Sequence, residues 1–187
     1  MRAGREVFSE LGYDATTFQA IAIRADLTRP AINHYFSSKR ILYFAVVEQT
    51  NAVVVGAAVA RARGETTLLG RLSVFISAAI QADSEDRSTA AFLVTSVLEA
   101  QRHPELAGGD HDALRNFRSF ITWAVNDAIN RGELSPETDV FSLVEMLVAV
   151  LWGLGFYAGF VGGRSVVRAV TQKLELLLAN KLWHLGA

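Results

Sequence analysis

The sequence predicts an all-α fold of about nine helices: a three-helix head containing a helix-turn-helix, followed by a larger helical body. Three observations lead there. Apolar residues recur at intervals of three and four along most of the chain. Runs in which β-branched residues alternate with polar ones, the mark of half-buried strands, are few. The 187 residues also contain only three prolines, Pro30, Pro104 and Pro136, each at a helix start or in a connection.

Met1-Arg2 leads into an amphipathic first helix. Thr17 is placed to cap the second, in which Phe18, Ile21, Ala22 and Ala25 form one apolar face while Gln19, Ile23 and Arg24 point outward. The turn Asp26-Leu27-Thr28 is so short that the next helix must cross steeply. Thr28 stands as its N-cap, and Pro30 sits just inside, where a missing N–H costs nothing. This third helix, Arg29–Tyr35, is too short and polar to be a core helix. Ile32 and Phe36 anchor it, leaving Arg29, Ala31, Asn33 and Tyr35 available. Ser38 caps a fourth helix that opens on Lys39-Arg40. Two cations in a first helical turn oppose the macrodipole, and a phosphate bound there would explain them.

The body follows by the same signals. Helices are expected over 38–63, ended by Gly64, then 66–83, 88–102, 112–131 closed by Gly132, 138–161 and 165–183. The expected division is a head of residues 1–44 and a body of residues 45–187. Charge divides the same way: the head holds six basic and four acidic residues, a net +2, and the body 12 basic and 15 acidic, a net −3. A basic head on an acidic body suits contact with a polyanion.

The segment 7–42 resembles the DNA-binding domain of the tetracycline-repressor (TetR) family of bacterial transcriptional regulators. The resemblance is carried by Phe8, Gly12, Tyr13, Thr16-Thr17, Ile21, Ala22, Ala25 and the run Tyr35-Phe36-Ser37-Ser38-Lys39 with Leu42. Two positions depart from it. Asp26 stands where a turn glycine is usual, and Asp tolerates the left-handed conformation better than most residues. Ala20 replaces a common acidic residue. The resemblance implies a DNA-binding regulator, usually a repressor, that binds a palindromic operator in double-stranded DNA as a homodimer and is released by a small-molecule effector.

Expected DNA contacts are Arg29 on guanine, Pro30 and Ala31 on a thymine methyl, and Asn33 on a base or phosphate. Thr28 joins them at the start of the recognition helix. Tyr35 and Lys39 are expected on the DNA backbone, with Thr17 and Gln19 at the other side of the groove. In the body, Phe75, Phe92, Phe117, Phe120, Trp123, Trp152 and Phe156 exceed what a thin helical layer needs, so a few are expected to line a largely apolar cavity. Thr95, Glu99, Arg118, Asn126 and Glu145 are the candidate polar anchors.

Residues 140–161 are apolar over a length that would span a bilayer. Glu145 lies inside the run and no Lys/Arg bias flanks it, so the reading is a helix buried on nearly all sides, one face in its own core and the other on a partner subunit. The last helix agrees, with a stripe of Val166, Val167, Val170, Leu174, Leu177, Leu178 and Leu182. No membrane association is expected.

The absence of cysteine excludes disulfides, zinc-thiolate sites and thiol catalysis and agrees with a cytoplasmic protein. Neither a Gly-x-Ser-x-Gly elbow, a phosphate-binding glycine loop nor a His-Glu-x-x-His pair occurs. No enzyme activity, cofactor or metal is therefore expected. His103, Glu105, Asp110, His111 and Asp112 read as a solvated polar loop. The alternative reading is a helical small-molecule-binding protein without specific DNA binding, with a dimeric all-α enzyme ranking third.

Overall fold

The fold was described from a computed structural model, which covers residues 1–85, 88–107 and 112–182. Among these residues there are nine helices and no strand, as expected: α1 Arg2–Ala15, α2 Phe18–Arg24, α3 Arg29–Tyr35, α4 Lys39–Ala62, α5 Leu68–Glu85, α6 Ser88–Arg102, α7 Ala113–Asn130, α8 Val140–Val161 and α9 Arg164–Leu178. A 3-10 turn, Pro104–Leu106, follows α6. Two helices contain π-turns, Ala52–Gly56 within α4 and Tyr157–Val161 at the end of α8.

Helix starts are set by side chains. Thr17, Thr28 and Ser38 accept from the backbone N–H of Ala20, Ala31 and Ile41 at 3.1, 3.3 and 3.2 Å. Asp112 and Asp139 do the same for α7 and α8, at 2.9 and 3.1 Å. Hydrogen bonds from Ser142 hold the Asp139 carboxyl below the usual carboxylate range. α5 starts at Leu68, two residues later than expected, because both Glu133 oxygens accept from Leu68 N–H at 2.9 Å and Thr67 caps Gly70 N–H. At the far end α9 stops at Leu178, well short of 183, with Asn180 left-handed at φ 53 just beyond; Trp183 lies outside the described residues.

Two apolar cores result. The first joins Val7, Phe8, Ile21, Ala22, Ile32 and Leu42 of the head to Phe92 on α6 and Leu106. The second lies between α5, α7 and α8, around Leu72, Phe117, Ile121, Val125, Leu147 and Val148. α4 contributes to both, with Val46 and Val47 in the first and Ala62 in the second. The expected division at 44/45 therefore falls inside a continuous helix, and α6 packs on both halves.

Among the described residues, Arg71 on α5 is the charged side chain most deeply set into the body, at 5% exposure. Its guanidinium lies 4.3 Å from the Trp123 ring centre, donates to Asp127 Oδ2 at 2.6 Å and to Glu65 carbonyl at 3.1 Å. Arg71 holds the Asp127 carboxyl below its ordinary value, with Arg131 adding to the effect. A carboxyl depressed in the folded state stabilises the fold above its unfolded pKa and loses that contribution as pH falls through the folded value. Asp127→Asn is thus expected to lower the melting temperature at pH 7. The gap from wild type should close as the pH drops through and below the carboxylate range; a gap independent of pH would contradict this assignment.

α8 is not buried on all sides within one chain. Val144, Leu147, Val148, Leu154 and Ala158 face the core, while Phe141, Met146, Val150, Phe156 and Phe160 are exposed, at 76, 50, 40, 49 and 43%. Val166, Val170 and Leu177 of α9 are likewise exposed. α8 and α4 are both long and apolar enough to cross a membrane by length and composition alone. The buried face of α8, like that of α4, is built into the core of the bundle.

Candidate nucleic-acid interface and effector cavity

The head holds α3 out toward solvent. Ile21 and Ala22 of α2 pack under Ile32, the one buried residue of α3. The chain turns between the two helices through Asp26, left-handed at φ 54, the conformation expected there. Of the candidate DNA-contacting residues, Thr17, Gln19, Thr28, Arg29, Pro30, Asn33 and Tyr35 are exposed, Tyr35 at 73%, and Ala31 is partly exposed. Arg29, Pro30 and Asn33 share the N-terminal and outer part of α3, whereas Thr17 and Thr28 also serve as caps.

Two cations near this face are engaged within the head. Arg24 makes a two-pronged bond to Glu10 at 2.9 and 2.7 Å and reaches Glu6 at 3.3 Å, which raises its own pKa and lowers that of Glu10. Lys39 Nζ donates to the carbonyls of Tyr13 and Asp14 at 2.7 and 3.0 Å and lies 4.5 Å from the Tyr13 ring centre. Lys39 at the head of α4 therefore has a structural reason of its own: it satisfies carbonyls at the end of α1.

Those carbonyls are available because α1 kinks at Gly12, with φ 75 and ψ 177. A Cβ at Gly12 would stand 3.0 Å from Glu99 Oε1, and the same carboxylate oxygen accepts from Tyr13 N–H at 3.3 Å. His103, one turn on from Glu99 and just beyond the end of α6, lies on the Tyr13 ring at 5.2 Å, with Nε2 3.3 Å from Asp14 and 3.5 Å from Glu99. His103 Nδ1 is 3.5 Å from Glu105. Head and body are thus fastened at Tyr13, Glu99 and His103. Burial, with the charges of Glu99 and Glu105 nearby, pushes the Tyr43 and Tyr13 hydroxyls up.

This corrects the reading of a solvated polar loop. His103 and Glu105 belong to the head–body contact and Asp112 caps α7, while Asp110 and His111 lie outside the described residues. No group of three or more His, Cys, Asp or Glu is arranged to hold a metal among the described residues.

The body contains a half-open apolar pocket of about 90 Å³ among α4, α5, α6, α7 and α8. Phe75, Phe117 and Trp152 line it, as expected, and their rings are in sequence, at 5.0 Å for Phe75–Phe117 and 6.0 Å for Phe117–Trp152. The remaining candidates are elsewhere. Phe92 is 1% exposed and packs in the head core, 6.3 Å from Phe8 and 5.7 Å from Tyr43. Glu99 is at the head–body contact, and the Thr95 hydroxyl donates to Ala91 and Phe92 carbonyls. Arg118 and Glu145 bind each other at 2.6 Å, which raises the Arg118 pKa, and Asn126 donates to the Thr122 carbonyl. Phe120 and Trp123 line a neighbouring groove, and Phe156 is exposed.

Sequence reasoning missed Val54, Val55 and Ala58 of α4 and Thr89 and Val94 of α6, which also line it. The signal for them was weak: Val53-Val54-Val55 is an apolar triplet on a helix whose periodicity shifts at the π-turn.

Comparison with known proteins agrees with this architecture. Residues 1–46 match the family profile of bacterial regulatory proteins, tetR family. A curated relative, the HTH-type transcriptional regulator UidR of Escherichia coli strain K12, is 23% identical over 154 residues, covering 82% of this chain and 76% of its own. The structure of the transcriptional regulator FadR from Bacillus subtilis, in complex with stearoyl-CoA, superposes with a TM-score of 0.78 at 18% identity, covering 97% of this chain and 96% of its own. AibR, in complex with isovaleryl coenzyme A and operator DNA, gives 0.71 at 15% identity, with 94% of each chain covered. The capped, steeply crossed helix pair of the head lies within the residues that match the tetR family profile, and the all-helical body behind it has the fold of these solved structures.

Proposed function

We propose that the protein is a cytoplasmic transcriptional repressor that binds a palindromic operator as a homodimer and is released by a small, largely hydrophobic effector. The observation that carries this reading is α3: it keeps one buried residue, Ile32, and turns Thr28, Arg29, Pro30, Asn33 and Tyr35 outward on a helix of seven residues. So short a helix buries little surface, and a dimer supplies the second copy, reading half-sites about 34–36 Å or a multiple of it apart. The exposed apolar faces of α8 and α9 are the proposed dimer surface. The wall of the cavity includes α6, whose far end meets the head at Glu99 and His103. Effector binding that shifts α6 would change the placement of the two heads, with the size of the response set by the effector's differential affinity for the two placements.

Arg29 is proposed to read a guanine by its two-pronged donor, with Pro30, Ala31 and Asn33 beside it and Thr17, Gln19, Thr28 and Tyr35 on the backbone. Lys39 is proposed on the DNA backbone as well, held in place by its bonds to the Tyr13 and Asp14 carbonyls. Arg29→Ala is expected to lower affinity for the selected operator roughly 10- to 100-fold while relaxing preference at one base pair per half-site. Quantitative binding to single-base operator variants checks this. Equal loss on operator and random DNA would reassign Arg29 to phosphate contact.

A further inference from the structure

α1 of the head lies along α6 of the body, and two hydrogen bonds tie them, one near each end. Where α6 begins, Arg5 Nε donates to Ser88 Oγ at 3.1 Å. In the last turn of α6, Glu99 Oε1 accepts from the Tyr13 N–H at 3.3 Å. Between these points the helices meet through apolar side chains, with the Phe8 ring 6.3 Å from that of Phe92. Apolar contacts hold two helices together but set no register, because burial has no direction. Hydrogen bonds do set one, since they weaken steeply as donor and acceptor leave line. Glu99 is 7% exposed, with His103 Nε2 at 3.5 Å and Arg102 Nη1 at 3.9 Å. A carboxylate is seldom so deeply buried without a role. Gly12 completes the joint: its φ of 75 directs the chain so that the next N–H meets the carboxylate, and its missing Cβ leaves that oxygen room.

We infer that these two ties set the angle at which the body carries each head, and that Glu99 is thereby a positioning residue for the half-site spacing a dimer accepts. The inference rests on the dimeric DNA-binding reading above and names what fixes its spacing. α4 is the other link between head and body, but its first turn moves with α1, because Lys39 binds the Tyr13 and Asp14 carbonyls. Further along, α4 passes through the π-turn Ala52–Gly56, away from the ties. On α1 the ties are about eight residues apart, roughly 12 Å at 1.5 Å per residue, so about 1 Å of slack at one of them lets the head tilt by roughly 5°. In a two-fold pair both heads tilt and the displacements add. Successive base pairs lie about 3.4 Å apart, so a loosened joint accepts spacings that a tight one rejects.

Titration of the full chain with the operator it selects, and with that operator lengthened or shortened by one base pair between its half-sites, tests this. For wild type the altered spacings should bind at least 20-fold more weakly. Glu99→Ala should bring that ratio below fivefold, and Ser88→Ala combined with Glu99→Ala should lower it further. Glu99→Gln keeps an oxygen for the Tyr13 N–H and should hold the ratio within twofold of wild type. Discrimination against single-base changes inside a half-site should stay the same in every variant, because α3 is untouched; a disrupted head would lose it. If Glu99→Ala fails to fold, Ser88→Ala alone should still lower the spacing ratio at least twofold. A wild type indifferent to spacing, a ratio unchanged in the variants, or a loss in Glu99→Gln equal to that in Glu99→Ala would each overturn the inference. Failure of the DNA-binding reading is seen separately, as a wild-type protein that selects no palindrome, and it takes the inference with it.

Discussion

Val170→Asp is expected to convert the protein to a monomer at micromolar concentration and to reduce operator affinity at least 100-fold. Val170 stands at 39% exposure on α9, in line with Val166 and Leu177 at 45 and 44%. Beside it α8 exposes Met146, Val150 and Phe160, which recur at helical spacing with Gly153 and Tyr157 between them. A contiguous apolar face of this kind on two adjacent helices is larger than single scattered residues account for. In the proposed dimer an aspartate at its centre is desolvated without a partner. In the isolated chain the same side chain points to water, so the helical content should be retained. The loss of operator affinity follows from losing the second head, because two linked sites gain roughly 10²–10⁴ over one. Sedimentation and operator titration of the same sample check both parts. A variant that stays dimeric with unchanged affinity would place the dimer surface elsewhere.

Gly159→Ala is expected to destabilise the fold by about 2–3 kcal/mol, lowering the melting temperature roughly 5–10 °C. Gly159 lies in the π-turn that ends α8, and a Cβ there would stand 2.7 Å from the Ala91 backbone nitrogen and 2.8 Å from its Cα. Backbone atoms in the first turn of α6 cannot swing aside as a side-chain tip does, so α8 and α6 must separate. α6 also carries Phe92 into the head core and Leu93 and Val94 into the cavity wall. The same variant should therefore disturb effector binding as well as stability. A Gly159→Ala protein that melts with wild type would mean that the two helices pack less closely than described.

What the sequence made legible was mostly local. Thr17, Thr28 and Ser38 cap helices three residues ahead of the N–H groups they accept from, and Asp26 takes up a left-handed turn within its own tetrapeptide. Each is decided by neighbours a few positions away. The bonds Lys39 makes within the head were not legible, because the carbonyls it binds belong to Tyr13 and Asp14, more than twenty positions earlier. Its place in a first helical turn suggested a phosphate. Arg118 and Glu145 show the same limit: each looked like a lone polar anchor, and they are each other's partners across α7 and α8.

Phe92 shows a second limit. Helical periodicity marks it as an inward residue, but α6 packs on two cores, and spacing alone does not say which one receives it. Glu99 and Thr95, on the same helix, were drawn to the cavity for the same reason. Phe75, Phe117 and Trp152 do line the pocket, while Phe120 and Trp123 on α7 and Phe156 on α8 do not, because spacing marks a helix's inward face without saying which hollow each residue on it meets. The π-turns were invisible for a further reason. They change the hydrogen-bond register by one residue while leaving composition and apolar content as in any buried helix.

The most direct test of the central claim, specific DNA recognition by a dimer, is selection of random double-stranded DNA by the purified protein at near-physiological salt, with sequencing of the bound pool. The account predicts an enriched palindrome whose half-sites are centred about one helical turn apart or a multiple of it. An unenriched pool, with binding that disappears as salt rises, would contradict it and favour a helical small-molecule-binding protein.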